Sequence, residues 1–281
     1  MTRVHLVDAT YELFRHYFAV PGELGGVRGV LQTLCQLLRE GATHVGCATD
    51  RVIRSFRNDL YPGYKTEEGV PADLLAQFPL VEEGIEALGM VLWPMVEFEA
   101  DDALATAAAR FAGDAQMVYV CTPDKDLAQC VTDKVHMLDR RRRIELDAAG
   151  VHAKFGVPPA AIPDFLALVG DTADGYPGIP GFGEKTAAAV LGAYGTIEAI
   201  PASGWRVAVR GADKLARVLH ERRDEALLYK QLATLRRDAP VTQSLADLAW
   251  RGARPELAAF CERHGLDDVL PRVPTPARER R

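Results

Sequence analysis

Nine carboxylates occur where a parallel sheet would bring side chains together. Asp8 closes the predicted strand "HLVD", Asp50 closes "VGCATD", and Asp124 and Asp126 follow "VYVCTP". In open parallel sheets, ligands bind outside the carboxyl ends of the strands. The stretches "EFEADDALA" and "GDTADG" supply the other five acids, which are Glu99, Asp101, Asp102, Asp171 and Asp174. We therefore predict one acidic site at one edge of the sheet.

Helix capping is the alternative role for these acids when they are taken one at a time. A single aspartate at a strand end or in the first turn of a helix is usually a cap, and Asp102 and Asp171 fit that description. Nine converging negative charges, however, would repel one another without a compensating charge. Divalent cations supply that charge, and oxygen ligands without His or Cys suit Mg²⁺ or Mn²⁺.

Two such cations would suit hydrolysis of a phosphodiester. Held about 4 Å apart, one would activate a water molecule while the other stabilised the leaving oxygen during in-line attack. The formal net charge of -6 speaks against a nucleic-acid partner. Leaving out the nine acids changes that charge to +3, so a metal-loaded site could face a polyanion.

A glycine-punctuated stretch, "GIPGFGEKTAAAVLGAYG" at residues 178–195, has the features of a phosphate-binding loop. It fails as a Walker A loop because Glu184 stands where the lysine is required and Lys185 comes one residue late. The preceding "FLALVGDTADGY" predicts the end of a helix and an acidic turn rather than a strand. Backbone N–H groups at a helix N-terminus could instead hold a phosphate of a polymer. An ordinary turn between packed helices is the alternative.

The elements that must position these residues alternate between strands and helices in the first half of the chain, which predicts a parallel sheet. Predicted strands are "VHLVDA", "HVGCATD", "QMVYVCTPD" and "VHML", and predicted helices are Gly29–Glu40, Ala72–Leu88 and Ala100–Phe111. From about Gly150 onward the pattern is helical. We predict an α/β fold with a central, mainly parallel sheet flanked by helices and a helical C-terminal region.

Composition limits the class of protein. The 281 residues are 48% hydrophobic, enough to bury a core. The sequence contains no apolar run long enough for a bilayer and no signal peptide, so we expect a cytoplasmic protein. Its five cysteines form no Cys-x-x-Cys pair, which argues against a zinc site or a disulfide framework.

The strand-end aspartates, "EADD", "TPDKDL" and "GDTADGYPGIPGFGEKTA", taken in this order, resemble the 5′ nuclease family. This family includes the 5′-3′ exonuclease domain of bacterial DNA polymerase I and the flap endonucleases. The resemblance covers roughly residues 4 to 270 and implies a PIN-like fold. It also implies hydrolysis of DNA at or near 5′ ends, at flaps, nicks and branched structures, in replication or repair. Because no polymerase region follows, we expect a stand-alone, nucleoid-associated bacterial monomer; whether a DNA polymerase or sliding clamp recruits it is left open.

The resemblance assigns roles to individual residues. It implies that all nine acids hold two Mg²⁺ or Mn²⁺ ions per site, with Asp171 and Asp174 as the second-metal pair. Arg15, Arg57 and Lys65 match basic residues that contact the phosphate, and Tyr64 is expected to contact DNA.

The glycine stretch resembles the helix-three-turn-helix of the same family. This implies that its loop binds the sugar-phosphate backbone of a duplex without reading bases and holds a K⁺ ion on loop carbonyls. The DNA-binding residues would be Gly178, Gly181, Gly183, Lys185 and Thr186.

Two positions depart from the family pattern. Glu67 and Glu68 follow Lys65 where basic residues are common in the helical arch, which we place at about residues 60–85. Weaker threading of a single strand, a shorter arch or another substrate preference would follow. Gly175 stands where asparagine is common, which could loosen the turn.

The predicted domains are a nuclease domain at 1–150, a helical DNA-binding region at 151–270 and a basic, disordered tail at 271–281. Two other functions remain open: a PIN-type ribonuclease, which would not need the 178–195 loop, and a branched-DNA-binding protein without turnover. The run Arg140–Arg143 fits either a DNA-contacting patch or a solvated hairpin tip.

Overall fold

The computed structural model describes residues 2–276, which form two compact units. The first unit contains the described residues of Met1–Ile53, Glu67–Thr122 and Arg236–Arg281, and the second contains Arg54–Thr66 and Pro123–Leu235. The predicted domain division at residue 150 remains a prediction. Positions 277–281 of the predicted tail lie outside the described residues.

The strands of the described chain are mostly parallel, as predicted. Their bounds are β1 (Arg3–Asp8), β2 (His44–Asp50), β3 (Val91–Met95), β4 (Met117–Cys121), β5 (Val135–Asp139) and β6 (Ile144–Leu146). Within the first unit the strands lie in the order β3-β2-β1-β4, and Val4 of β1 is opposite both His44 and Val118. The second unit contains an antiparallel hairpin of β5 and β6.

Helices make up most of the remaining regular structure. Those of the first unit are α1 (Ala9–Tyr17), α2 (Gly25–Arg39), α4 (Ala72–Leu75), α5 (Phe78–Ala87), α6 (Ala100–Phe111) and α12 (Glu256–His264). Those of the second are α3 (Arg57–Leu60), α7 (Ala148–Phe155), α8 (Ile162–Val169), α9 (Glu184–Tyr194), α10 (Ala212–Glu221) and α11 (Arg223–Ala233). The predicted helix at 100–111 and the helical character after residue 150 are confirmed. Between residues 2 and 276, no helix combines the length and apolarity needed to cross a bilayer.

Prolines account for two differences from the predicted elements. The helix predicted over residues 72–88 is broken between α4 and α5, because a continuous helix would press the Pro79 ring against the Leu75 carbonyl. Strand β3 was not predicted, since it contains Pro94, which removes a backbone donor. The strand tolerates this proline because it lies at the edge of the sheet, where β2 is its neighbour among the described strands. A third difference does not involve proline: the sequence analysis did not predict helix α1.

The core of the first unit lies on both faces of the central strands. Val4, Leu6 and Val7 of β1 are at most 1% exposed, which is typical of a parallel strand covered by helices on both sides. The alanine-rich α6 packs against β1 and β2. Trp93 of β3 is buried, and its indole N–H donates to Gln243 Oε1 at 2.7 Å. This packing fixes the carboxyl ends of the strands.

In the second unit, α8 is the central buried helix and packs against α9 and α11. It carries one buried acid, Asp164, whose Oδ1 accepts the backbone N–H of Ile197 at 2.8 Å and lies 2.8 Å from Lys230 Nζ. Lys230 also lies 2.8 Å from Glu198 Oε2. This ion pair ties α11 and the segment after α9 to α8.

Replacing Asp164 with alanine should lower the free energy of unfolding by about 2 kcal/mol, because one buried backbone N–H loses its acceptor and Lys230 loses one of its two carboxylate partners. Urea unfolding followed by circular dichroism measures the change. The control is Asp213→Ala in the first turn of α10, where the side chain is exposed and we expect a loss of about 0.5 kcal/mol. Equal losses in the two variants would contradict this role for Asp164.

Candidate metal centre and phosphate-binding loop

The aspartates that end β1 and β2 are each held by a helix N-terminus of the first unit. Asp8 is the N-cap of α1: its Oδ1 accepts the N–H of Tyr11 at 2.8 Å, and its Oδ2 accepts the Thr122 hydroxyl at 3.0 Å. Asp50 Oδ1 accepts the N–H of Ala100, the first residue of α6, at 2.7 Å. Because β1 and β2 are parallel neighbours, these hydrogen bonds fix both carboxylates at the same edge of the sheet.

Three further acids begin α6. Glu99 and Asp102 form a capping box, in which each side chain accepts the backbone N–H of the other residue. Asp102 is fully buried, and its second oxygen accepts the N–H of Arg236 at 2.9 Å. Asp101 between them is half-buried. Capping and backbone contacts thus engage both oxygens of Asp102, which makes it the member of this set least suited to bind a metal.

The second unit brings three of its four predicted ligands together. Ligand oxygens of Asp126, Asp171 and Asp174 all lie within 4.8 Å of one another. Asp126 and Asp171 are 6% and 5% exposed. Asp124 is exposed, and its Oδ1 accepts the N–H of Asp126 at 3.0 Å. We refer to Asp126, Asp171 and Asp174 as the acidic triad.

The electrostatics of the acidic triad favour a cation. Burial, together with the negative charges of Asp124, Asp174 and Asp171, holds the pKa of Asp126 well above its usual range. Asp126 Oδ1 is buried and has no hydrogen-bond partner among the described residues. Two lysines offset part of the charge, since Lys125 Nζ lies 2.6 Å from Asp171 and Lys65 Nζ lies 3.3 Å from Asp174.

A divalent metal ion fits this arrangement. Close carboxylate oxygens are the ligands that Mg²⁺ and Mn²⁺ prefer, and the triad has one buried oxygen still without a bond. A bound cation would remove both the mutual repulsion of the carboxylates and the desolvation cost of Asp126.

The two arginines predicted to contact the phosphate are engaged within the protein. Arg15 Nε donates to Glu12 Oε2 at 3.1 Å, and its guanidinium forms an ion pair with that carboxylate. Arg57 is only 1% exposed and donates to the Leu232 carbonyl at 2.8 Å. Because Arg57 is so deeply buried, its position suits stabilisation of the second unit better than contact with a substrate. The catalytic assignment of both residues remains a prediction.

Lys65 and Tyr64 differ in their access to solvent. The Tyr64 ring is 3% exposed, which leaves little of it for DNA, and Lys65 Nζ lies 5.6 Å from the ring centroid. The Lys65 side chain is 26% exposed. Its backbone N–H donates to the carbonyl of Asp174 at 3.0 Å. Lys65 is therefore tied to the acidic triad through both its main chain and its side chain.

The glycine stretch forms a tight loop between α8 and α9. Asp171 and Tyr176 exchange two backbone hydrogen bonds, of 2.9 and 3.0 Å, which close the acidic turn. Gly178 then has φ +71°, and a Cβ there would come within 2.4 Å of the Gly170 nitrogen. Only glycine fits this close approach of two backbone segments. The helix-loop-helix arrangement that the sequence predicted is confirmed.

The exposed side of this loop carries the other predicted phosphate-binding residues. Gly183 precedes the first residue of α9, and Gly181, Gly183 and Lys185 are exposed, while Thr186 is half-buried. The first N–H groups of a helix have no intrahelical acceptor and can donate to an anion. The loop therefore presents the start of α9 on an exposed surface, where Glu184 is exposed as well, and phosphate binding by these residues remains a prediction.

The sequence analysis missed two residues beside the acidic triad. Lys125 lies within "TPDKDL" between two predicted ligands, so its position in the motif could have identified it. Tyr176 is fully buried, and burial raises its pKa well above the usual range, as do the charges of Asp126, Asp174 and Asp171. The sequence indicates this residue only by its position, two residues after Asp174.

Replacing Asp126 with asparagine should separate two effects of its charge, namely the destabilisation of the metal-free protein and the binding of a metal ion. In EDTA the melting temperature should rise by about 2 to 4 °C, because a buried repulsion of about 1 kcal/mol is removed. The affinity for Mn²⁺, measured by calorimetry, should fall by at least about 10-fold. Asp133→Asn, at an exposed aspartate, is the control and should change neither value. A lower melting temperature in EDTA together with unchanged Mn²⁺ affinity would contradict the metal-centre interpretation.

Replacing Gly178 with alanine should destabilise the protein more than the same change at Gly204. Both glycines have a positive φ, of +71° and +70°, but a Cβ at Gly204 would have no atom within 4 Å. We expect backbone strain of about 1 kcal/mol at Gly204 and about 2 kcal/mol more at Gly178, where the new atom also meets backbone. Chemical denaturation of the two variants measures the difference, and equal values would show that the close approach is unimportant.

The chain matches two family models, "5′-3′ exonuclease, N-terminal resolvase-like domain" over residues 3–156 and "5′-3′ exonuclease, C-terminal SAM fold" over residues 157–256. It is 33% identical to DNA polymerase I of Bacillus caldotenax over 98% of this chain and 32% of that protein. It is 37% identical to DNA polymerase I of Pseudomonas aeruginosa over 94% of this chain and 31% of that protein. The chain thus spans about a third of the length of these curated relatives.

Among solved structures, the chain is similar to T5 5′-exonuclease with bound zinc, with a TM-score of 0.69 and 19% identity over 97% of this chain and all of that one. It is also similar to a phage T5 flap endonuclease in complex with DNA and metal ions, with a TM-score of 0.66 and 18% identity over 96% of this chain and 99% of that one. These likenesses confirm the predicted PIN-like fold. The matches to both family models show that the chain belongs to the 5′-3′ exonuclease family, as the sequence motifs predicted.

Proposed function

We propose that this protein is a metal-dependent, structure-specific 5′ nuclease that hydrolyses phosphodiesters of DNA at or near 5′ ends, including flaps. The observation that carries the proposal is the acidic triad, with its buried, unbonded Asp126 oxygen, in a chain of the 5′-3′ exonuclease family. A cluster of this kind costs folding energy, and a role in binding cations accounts for its presence.

The carboxylates fall into two sets, and each set suits one divalent cation. In the first unit the proposed ligands are Asp8, Asp50, Glu99 and Asp101, with Asp102 orienting the set as a cap. In the second unit the acidic triad binds the cation and Asp124 orients Asp126. We propose Mg²⁺ as the natural ion and Mn²⁺ as a substitute. Bound divalent cations supply Lewis acidity to phosphate oxygens and lower the pKa of water.

The lysines beside the acidic triad would stabilise the negative charge of the substrate. Lys65 and Lys125 each have an ammonium group within 3.3 Å of a carboxylate, on side chains that are 26% and 37% exposed. A phosphate bound near the triad would fall within reach of both ammonium groups, which favours developing charge in the transition state. Arg15 is a second candidate for this role, whereas Arg57 would hold the Leu232 segment in place.

The loop before α9 would bind the substrate away from the scissile bond. Its exposed N–H groups and Lys185 suit the phosphates of a duplex backbone, which carry no sequence information. We propose a K⁺ ion on the loop carbonyls as part of the same contact. This arrangement supports recognition of DNA by structure, at flaps, nicks or branches, rather than by base sequence.

Cleavage of labelled 5′-flap, nicked, single-stranded and RNA substrates with Mg²⁺ or EDTA tests the proposal. We expect Mg²⁺-dependent release of 5′ products from flap DNA and none in EDTA. Asp174→Ala should lower the rate by about 100-fold or more while retaining DNA binding, since several kcal/mol of charge stabilisation are lost. The control Asp133→Ala, at an exposed position, should cleave like the wild-type protein. No metal-dependent cleavage of any DNA would overturn the proposal.

The same experiment distinguishes the two other functions. A PIN-type ribonuclease would cleave only the RNA substrate and would keep its activity after deletion of residues 178–183 in the glycine loop. A branched-DNA-binding protein without turnover would bind flap DNA but would not cleave it. The Asp174→Ala variant would then bind flap DNA like the wild type.

A further inference from the structure

The hydroxyl of Tyr176 is a buried donor for which the described part of the chain supplies no partner. Tyr176 is 0% exposed, and its hydroxyl oxygen has no hydrogen bond among the described residues. Buried polar groups are hydrogen-bonded in the great majority of cases, so an exception calls for a physical reason. If the ring only filled space, phenylalanine would fill it without burying an unbonded hydroxyl.

The position of this ring is fixed from two sides. Its backbone exchanges two hydrogen bonds with Asp171, so the ring begins on the turn that holds Asp171 and Asp174. Its face stacks on Tyr229, with ring centroids 5.6 Å apart and an interplanar angle of 22°. The hydroxyl therefore cannot move to solvent to find a partner without disrupting the stack.

The acidic triad lies beside this residue. Tyr176 exchanges two backbone hydrogen bonds with Asp171, and ligand oxygens of Asp171 and Asp126 lie within 4.8 Å of each other. Asp126 also carries a buried oxygen without a partner, Oδ1. The same unit thus holds a buried phenol, which can donate a hydrogen bond, and a buried carboxylate oxygen, which can accept one.

We propose that Tyr176 is a positioning residue of the metal centre, whose hydroxyl donates a hydrogen bond to Asp126, directly or through one water, when a divalent cation is bound. The inference rests on the proposed function, since it requires the acidic triad to bind a cation. A hydrogen bond from a residue that does not itself bind the metal can orient a ligating carboxylate. Loss of such a bond typically weakens metal affinity by about 10- to 100-fold. Tyr176 would then hold Asp126, which carries the buried oxygen Oδ1, in its binding orientation.

Calorimetric titration of Mn²⁺ into DNA-free protein tests this role with Tyr176→Phe. We expect affinity about 10-fold weaker than that of the wild type, with a melting temperature in EDTA that is unchanged or higher. The control is Tyr229→Phe, which removes a hydroxyl from the same aromatic stack. The Tyr229 ring also contacts Tyr61, with ring centroids 5.8 Å apart, and the charges that act on its hydroxyl are not those of the triad. The control should bind Mn²⁺ like the wild type.

The outcomes separate this inference from the proposed function. Equal Mn²⁺ affinity of the wild type and Tyr176→Phe would overturn the inference alone, and a lower melting temperature in EDTA would then show a purely structural hydroxyl. No Mn²⁺ binding by the wild-type protein would overturn both the inference and the metal-dependent function.

A second measurement does not depend on folding of the phenylalanine variant. In protein with 3-fluorotyrosine at position 176 alone, the ¹⁹F resonance should shift as Mg²⁺ is added and saturate with metal occupancy. A resonance that stays in place through saturating Mg²⁺ would overturn the proposed hydrogen bond.

Discussion

Repulsion among buried carboxylates is the constraint on which the second unit depends. Three carboxylates whose ligand oxygens lie within 4.8 Å of one another disfavour the folded chain, and Asp126 adds the cost of desolvation. Other contacts must therefore hold the acids in place: two backbone hydrogen bonds close the 171–176 turn, and Lys125 and Lys65 offset part of the charge. The hydrophobic packing of α8 supplies the rigid base. The acidic triad lowers the stability of the folded chain, and the packing of the surrounding core offsets this loss. Such a local loss of stability is common at functional sites.

Much of this arrangement follows from local patterns in the sequence. Apolar strands that end in Asp8 and Asp50 predict where a parallel sheet places its acids, and the alanine-rich run after Glu99 predicts α6 to the residue. The glycine spacing after Asp174 predicts the loop before α9. These features depend on short-range chemistry, namely strand periodicity, capping and positive φ, so they can be read from neighbouring residues.

Other features depend on residues far apart in the chain. Asp102 and Asp126 look alike in sequence, yet the backbone N–H of Arg236 engages one, while the other keeps an unbonded oxygen. Arg57 has the residue type of a phosphate ligand, but the Leu232 carbonyl accepts its hydrogen bond within the core. Neither outcome can be predicted without the tertiary structure, because the deciding partner lies more than 100 residues away. The same holds for Tyr176, whose neighbours are set by the closed turn and by Tyr229.

The segment Arg54–Thr66 belongs to the second unit although the first unit surrounds it in sequence. It supplies Lys65 to the acidic triad and Arg57 to the Leu232 carbonyl. A fragment that begins after residue 122 would therefore keep the triad but lack the lysine that offsets Asp174 and the arginine that binds the end of α11. The chain must cross between the units several times, so neither unit can be completed during synthesis before most of the protein has been made. The acidic triad therefore gains the full set of residues of its own unit only after synthesis has passed Leu235.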